Sequence, residues 1–521
     1  MKNWINLSGL LLVLIAVACN AQKPVSKGAE NHEIRGVVRD LRDTNIYLAN
    51  YYGNKLYYND TARVDAQGRF RFDGKPFNEC GKYILLLPNN NRIELVIDDQ
   101  ETIDVEFDQD CRIENLKIKQ SKNNQVFYEM VNFFTQKNQQ RKPIDTALAD
   151  STLSEEQKKP YRDQLAKMND DVIAFQKNLV AKDPDLLISK LTKMSLEVEV
   201  PEAPADSTEE GKKLWRYYYY RNHYWDNIDL TDPRMIRDPG YHRLLDTYIT
   251  KTLPQIPDTM TAEAAKLLQR VGNNQDGFKY ICHMFTYNFE TAKIMCMDEG
   301  FVYMVDNYYS KGKCDWVKED KIQEMKKAAD EKRHCLCGEI ALDIILPDTS
   351  GTWQSMHALD SKYTLLVIWE ATCGHCKKEV PQINELYKRW KDRGLKVFAV
   401  HNNLEVDKWK KFVRDENLEF INVCRNQEIM TQAVATDLIM RHVTTIESLN
   451  FHQYWDVNST PKVYLMDKDH KVIAKGVGHE QLEELLQRFE SGNNTVGPMK
   501  ETEFEDADEA PKNQRSPRGN K

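Results

Sequence analysis

The stretch Tyr363-Thr-Leu-Leu-Val-Ile-Trp-Glu-Ala-Thr-Cys-Gly-His-Cys376 decides the fold of the last third of this chain. Its unbroken apolar run, Leu365 to Ile368, is typical of a strand buried on both faces. Two cysteines spaced by two residues follow, and an amphipathic segment begins at Lys377. This order predicts a strand, a dithiol pair and a helix that starts under the first sulfur. Because unpaired N–H groups and the helix dipole favour a thiolate at that point, the pair predicts redox chemistry.

The sequence after the cysteine pair predicts an alternation of helices and strands up to residue 490. An apolar stripe marks a helix that contains Pro381, which should kink its axis. Strands are predicted at 395–400 and 420–423, and a hairpin follows Thr460-Pro461. A last helix is predicted over 480–489.

This order of elements resembles a thioredoxin fold. The run Gly338 to Gly351 resembles the first segment of the TlpA/ResA-like branch of membrane-tethered thiol–disulfide oxidoreductases, which inserts an extra strand and helix before a cis-proline. The long separation between Cys373 and Pro461 leaves room for such an insertion. The whole chain resembles bacterial lipoproteins that place a small β domain of unknown function and a helical region ahead of a TlpA-like domain.

The resemblance implies roles for four residues of this sequence. Cys373 would be the exposed nucleophile and Cys376 the resolving thiol, together forming the redox-active disulfide. Pro461 would be the cis-proline, and Thr460 would present its backbone to an extended substrate segment. Substrates would be protein dithiols and disulfides, and no cofactor is expected.

Three more residues are candidates for the site. His375 can add positive charge and hydrogen bonding beside the Cys373 thiolate. Glu379 matches an acidic residue that tunes the pair in ResA-like reductases, and Trp369 matches the first aromatic of the family's Trp-Ala-x-Trp-Cys segment, which implies substrate contact. This chain departs from that pattern at Glu370 and Thr372, which replace the Ala and the second Trp.

The direction of electron flow stays open in the sequence. The insertion resembles that of reductases, and we expect reduction of substrates fed by a membrane electron donor. A CGHC pair with Thr before the proline resembles the isomerase pattern, so an isomerase or oxidase is the alternative. A non-enzymatic alternative is an envelope ligand-binding lipoprotein with a vestigial thioredoxin module.

The N-terminus predicts the location of the protein. Residues 1–18 contain an apolar core too short to span a bilayer, which is typical of a signal peptide. Small residues ahead of Cys19 resemble a bacterial lipobox, with Cys19 as the lipidated first residue and 19–31 as a linker. The alternative is cleavage at an Ala-x-Ala-like site. We expect a lipid-anchored protein that faces the periplasm of the bacterial cell envelope, at the outer membrane, and attaches to the membrane by lipid alone.

Composition and patterning predict the remaining organisation. With 521 residues, 41% of them hydrophobic, the chain can form several globular domains, and a net charge of −8 argues against nucleic-acid binding. Short alternating runs predict a β-sandwich over 32–120, and i, i+3, i+4 spacing predicts a helical domain over 121–334. The thioredoxin-like domain is predicted at 335–490 and a disordered tail at 491–521.

Other chemistries of cysteine fit this sequence poorly. A zinc site needs a second ligand pair, and Cys335-Leu-Cys337 has poor spacing for one, so no metal site is predicted. Haem attachment needs His where Lys377 stands, and a peroxiredoxin Pro-x-x-x-Thr-x-x-Cys motif would need Pro at Leu366. Among the eight remaining cysteines a Cys80–Cys111 disulfide is conceivable, and buried free thiols are the alternative.

Overall fold

The computed structural model describes residues 33–73, 80–99, 101–205 and 207–492. The predicted signal peptide, the lipidation at Cys19, the linker 19–31 and the predicted disordered tail from 493 onward lie outside the described residues. Within the described ranges no helix is both long and apolar enough to cross a membrane. The chain divides into two compact units, one ending at Ser189 and the other beginning at Lys190, with Tyr51–Lys55 belonging to the second.

The first unit contains a sandwich of two four-stranded sheets, which confirms the predicted β-sandwich. The strand orders are β4-β1-β7-β8 and β3-β2-β5-β6. Alternate residues point inward, among them Ile34, Leu48 and Phe107, which are fully buried between the sheets. The strands are β1 (Glu33–Arg39), β2 (Asn45–Tyr52), β3 (Lys55–Arg63), β4 (Arg69–Asp73), β5 (Gly81–Leu86), β6 (Arg92–Ile97), β7 (Thr102–Asp108) and β8 (Lys117–Gln120).

Two long helices follow the sandwich in the first unit, α1 (Lys122–Ala149) and α2 (Glu155–Lys182). Ser154 caps α2 together with the side chain of Gln157, which satisfies backbone donors that the helix leaves unpaired. Phe133 and Phe175 stack with ring centroids 4.0 Å apart and hold the two helices together.

The helical middle region continues in the second unit, as predicted. Its helices are α3 (Leu187–Met194), α4 (Glu209–His223), α5 (Pro239–Thr247), α6 (Pro257–Arg270), α7 (Gln275–Glu290), α8 (Asp298–Met304) and α9 (Glu319–Arg333). Asn274 caps α7 by accepting from the Gly277 N–H, and this residue is buried. The predicted domain boundaries at 120 and 334 stay predictions.

The C-terminal part of the second unit is an α/β domain of the thioredoxin type. Its five-stranded sheet has the order β13-β12-β11-β14-β15, with β11 parallel to β12 and antiparallel to β14. The strands are β9 (Ile345–Pro347), β10 (Trp353–Ser355), β11 (Tyr363–Trp369), β12 (Leu395–His401), β13 (Ile421–Cys424), β14 (Lys462–Asp467) and β15 (Val472–Lys475). The helices are α10 (Gly374–Trp390), α11 (Val406–Asp415), α12 (Gln432–Met440), α13 (Ile446–Leu449), α14 (Phe451–Tyr454) and α15 (His479–Glu490).

The central strand β11 is buried along its whole length, because helices and loops cover both faces of the sheet. Val367 and its neighbours at alternate positions pack into one core with α10 and α15. Leu366 and Ile368 pack into a second core on the opposite face. The continuous apolar run that the sequence shows is therefore the consequence of burial on both sides.

A disulfide that the sequence did not indicate joins the middle region to the thioredoxin-type domain. Cys296 and Cys337 form this bond, with a Cα–Cα distance of 5.6 Å. The neighbouring Met295 packs into the same core as β11, and Asp298 forms an ion pair with Lys475, which is only 5% exposed. The conceivable Cys80–Cys111 disulfide is not formed, since Cys111 is a thiol.

Candidate active site

Cys373 is the N-cap residue of α10, directly after the buried strand β11. Its carbonyl accepts from the Lys377 N–H at 3.1 Å, which closes the first turn of the helix. The side chain is half-buried, and the residue is a thiol. The sulfur therefore lies at the positive end of a helix of seventeen residues, where a negative charge is stabilised.

Cys376 lies one turn further along α10 and is fully buried in the core beneath Cys373. Its sulfur accepts from the Glu370 N–H at 3.5 Å. Burial is the main cause that raises the pKa of the Cys376 thiol to about 12. At neutral pH this residue is an un-ionised thiol that a solvent molecule cannot reach.

The pKa of Cys373 is shifted in the opposite direction to that of Cys376. Burial opposes its thiolate, but hydrogen bonds from the Cys376 backbone N–H, the Thr460 hydroxyl, the Cys376 thiol and the His375 backbone N–H outweigh burial and lower the pKa of Cys373 below its usual value of 9.0. The motif thus combines a half-buried thiol of lowered pKa with a fully buried thiol of raised pKa.

The loop before β14 brings Thr460 and Pro461 to the redox sulfur. In the thiol form Cys373 Sγ donates to the Thr460 carbonyl oxygen at 3.3 Å. The Thr460–Pro461 peptide bond is cis. Residues 87 positions apart in the chain therefore form one site.

Two residues that the sequence reasoning missed hold the loop from Glu370 to Cys373. His401 Nε2 accepts from the Ala371 N–H at 3.1 Å, and Asn402 Nδ2 donates to Glu370 Oε1 at 2.8 Å. Burial lowers the pKa of His401, so its ring is neutral, with Nδ1 donating to the Asn403 carbonyl. Their position at the carboxyl end of the strand next to β11 was the available signal.

Glu379 lies on the buried face of α10, away from solvent. Its carboxylate accepts from the backbone N–H of His479 at 2.6 Å and contacts His479 Nδ1 at 3.0 Å. Since His479 begins α15, Glu379 caps that helix and fixes it against α10. His375 is half-buried in the first turn of α10.

Trp369 lies in the core below the active-site loop, and its predicted contact with substrate stays a prediction. It is the last residue of β11 and has 0% of its surface exposed. The indole packs against His401 and Phe412, with ring centroids 5.4 Å and 5.0 Å away. In this position Trp369 supports the active-site loop from below.

The fold and the paired thiols define the class of protein. The C-terminal domain has a thioredoxin fold, and its Cys-Gly-His-Cys pair lies at the junction of a central strand and a helix. Residues 337–475 match the AhpC/TSA family. Residues 135–331 and 32–127 match two domains of unknown function, DUF5106 and DUF4369.

Similar proteins of known description match part of this chain. Thiol-disulfide oxidoreductase ResA of Bacillus cereus is 29% identical over 162 residues, which are 30% of this chain and 82% of ResA. ResA of Geobacillus thermodenitrificans is 26% identical over 161 residues, 31% of this chain and 80% of that protein. A thioredoxin-like protein of Bacteroides caccae is 19% identical, with a TM-score of 0.39, over 56% of this chain and 97% of its own.

The C-terminal domain thus has a thioredoxin-like AhpC/TSA match over residues 337–475 and is similar to the ResA thiol–disulfide oxidoreductases. The protein is an enzyme of that class. The N-terminal β domain corresponds to a domain of unknown function.

The difference in acidity predicts selective alkylation of Cys373. With iodoacetamide, the rate at Cys373 should rise with pH through a midpoint below 9, because the thiolate is the nucleophile. Cys111 is the matched control, since it is half-buried too but burial and two nearby aspartates raise its pKa to about 12. Peptide mass spectrometry after timed quenching measures both rates. Equal rates at pH 7 would contradict the assignment.

Proposed function

We propose that this protein is a cell-envelope thiol–disulfide oxidoreductase that exchanges disulfides with protein substrates through Cys373 and Cys376. The observation that carries the proposal is the pairing of a half-exposed Cys373 of lowered pKa with a buried Cys376 whose pKa is about 12. An exposed thiolate attacks, and a shielded thiol resolves.

The exchange takes place in two displacements. The Cys373 thiolate attacks one sulfur of a substrate disulfide, so that the substrate S–S bond breaks and one substrate thiolate leaves. Cys376 then gives its proton to that leaving thiolate and attacks Cys373 Sγ, which releases the second substrate sulfur. The substrate gains two electrons, and the protein is left with a Cys373–Cys376 disulfide.

Neighbouring groups support these steps. Thr460 is proposed to hold an extended substrate segment through its backbone, beside Cys373 and next to the cis Pro461. His375 and Glu379 are proposed to tune the pair. Glu379 would act through the packing of α10 against α15, because its carboxylate bonds to His479.

We further propose that electrons flow toward the substrate, as in a reductase, and that a membrane electron donor re-reduces the pair. Resemblance to ResA-like reductases supports this direction. The CGHC sequence with Thr460 before the proline favours the alternative of an isomerase or oxidase. A signal peptide over 1–18 would direct export and be removed, and a lipid on Cys19 would anchor the mature protein to the periplasmic side of the outer membrane.

A paired assay tests the direction. Reduced protein is mixed with a disulfide-bonded reporter peptide, and oxidised protein with the same peptide in its dithiol form. After acid quenching and alkylation, a reductase should reduce the first peptide and leave the second unchanged. Oxidation of the dithiol peptide as the faster reaction would overturn the reductase assignment, while no transfer in either mixture would favour the ligand-binding alternative.

The His375→Pro variant should lower the reduction potential of the pair. Proline removes the backbone N–H that stabilises the Cys373 thiolate, and its place in the first turn of α10 tolerates a proline. A hydrogen bond to a charged group contributes about 1.5–3 kcal/mol, but this bond is the weakest of the four and the sulfur is partly open to solvent, so we expect a fall of about 30 mV or less for the two-electron couple.

The His375→Ala variant is the matched control, because it removes the ring and keeps the backbone donor. Redox titration in glutathione buffers measures all three proteins. An unchanged or higher potential in His375→Pro would contradict the role of this N–H. A fall of equal size in His375→Ala would assign the effect to the ring instead.

A further inference from the structure

Two buried thiols of the middle region lie in contact outside the redox site. Cys282 is on α7, and Cys314 is in the loop before α9, with the two sulfur atoms 3.7 Å apart. Each residue has 0% of its surface exposed. Beside them the Tyr309 hydroxyl donates to Thr286 Oγ1 at 3.2 Å, which holds the loop against α7.

The segment between these two cysteines carries the connection to the thioredoxin-type domain. Cys296 in its middle is bonded to Cys337, and Asp298 is paired with the buried Lys475. Cys282 and Cys314, 32 positions apart, are thus at the two ends of a largely helical segment whose centre is already attached by a disulfide.

We propose that Cys282 and Cys314 form a second, structural disulfide when the protein matures under oxidising conditions. A disulfide needs the sulfur atoms about 2.05 Å apart, so each must move by less than about 1 Å from the observed contact, within the reach of small χ1 rotations. No third sulfur competes, since among the described residues every other cysteine either belongs to a different site or lies in a different part of the fold.

The bond forms by exchange with a disulfide donor, either a protein disulfide or oxidised glutathione. Since both sulfurs are buried in the folded protein, this exchange takes place during folding, before the segment closes over them. The Cys282 thiolate attacks one donor sulfur and releases the first donor thiolate. Cys314 loses its proton and attacks Cys282 Sγ, which releases the second donor thiol. The pair loses two electrons and two protons, and the donor disulfide gains both.

This disulfide would differ from the CGHC pair in its role. Because both sulfurs are inaccessible in the folded protein, substrates cannot exchange with them. The proposed bond would join the two ends of the segment from Cys282 to Cys314. Cys296–Cys337 attaches the centre of the same segment to the thioredoxin-type domain, so the two bonds together would hold the middle region to that domain. The proposal does not depend on exchange at Cys373.

Peptide mapping tests the proposal on the full chain. The protein is refolded with oxidised glutathione, denatured in urea with N-ethylmaleimide and no reductant, and digested. We expect the Cys282 and Cys314 peptides to be linked, without the maleimide label, and to take up two labels after reduction. Cys424, a buried thiol, should be labelled in the same sample and shows that denaturation is complete. Labelling of Cys282 and Cys314 before reduction would overturn the proposal.

A mutant cycle gives a second, independent readout. Without reductant, the Cys282→Ala and Cys314→Ala variants and the double variant should lower the unfolding temperature by the same amount, since each removes one shared bond. With reductant the unfolding temperature of the wild type should fall close to that of the variants. If the decreases in unfolding temperature of the two single variants add up in the double variant, and reductant does not change them, the two residues are packed thiols and the disulfide is overturned.

Discussion

The Cys373→Ala variant is expected to lose disulfide exchange almost completely, with kcat/KM for a disulfide-bonded reporter peptide falling by about 10³-fold or more. The reason is that the remaining thiol cannot substitute for it. Cys376 is fully buried, and at pH 7 a thiol whose pKa is about 12 is ionised to about one part in 10⁵.

The Cys111→Ala variant is the matched control for this loss. Cys111 is also a half-buried thiol, but it lies outside the redox site, so its removal should leave the rate unchanged. Circular dichroism shows whether either variant has lost its fold. Wild-type exchange by a folded Cys373→Ala protein would mean that another cysteine is the nucleophile.

The Cys376→Ala variant should stop the reaction at its midpoint and accumulate a mixed disulfide between Cys373 and the substrate. Cys373 keeps its place at the N-terminus of α10 and can still attack. No sulfur lies beneath it to resolve the bond, so one substrate molecule should be bound per protein, and multiple turnover should be lost.

Non-reducing gels of a cell-envelope extract incubated with this variant would display the adducts. The Cys373→Ala/Cys376→Ala double variant should give none, which separates true intermediates from adducts at other cysteines. If the single variant forms no adduct that reductant releases, exchange through Cys373 is contradicted.

The elements around the redox pair could be predicted because their signals are local. The run before the CGHC motif is continuously apolar, since β11 is buried on both faces, and the apolar stripe of α10 follows directly. The β-sandwich could be predicted for the same reason, because strands such as β1 and β2 alternate between the core and the surface. Both predictions use periodicities that need no information about distant residues.

The rest of the site depends on contacts between residues far apart in the chain. His401 supports Ala371 from the end of the neighbouring strand, and only that strand-end position, not a local motif, distinguishes it from a core histidine. Trp369 matched a family pattern, but the pattern does not state which way the side chain points. The Cys296–Cys337 bond could not be predicted, because the pairing of many cysteines cannot be derived from their spacing in the sequence.

The most direct test of the central claim is a redox titration of the two active-site sulfurs in the mature protein. The protein is equilibrated in graded glutathione buffers, quenched, and read by alkylation mass shift at Cys373 and Cys376. We predict that both sulfurs titrate together as one two-electron couple, with a reductase value near or below about −250 mV. A value above about −200 mV would contradict the reductase direction. Two thiols that are alkylated independently at every potential would contradict the redox centre itself.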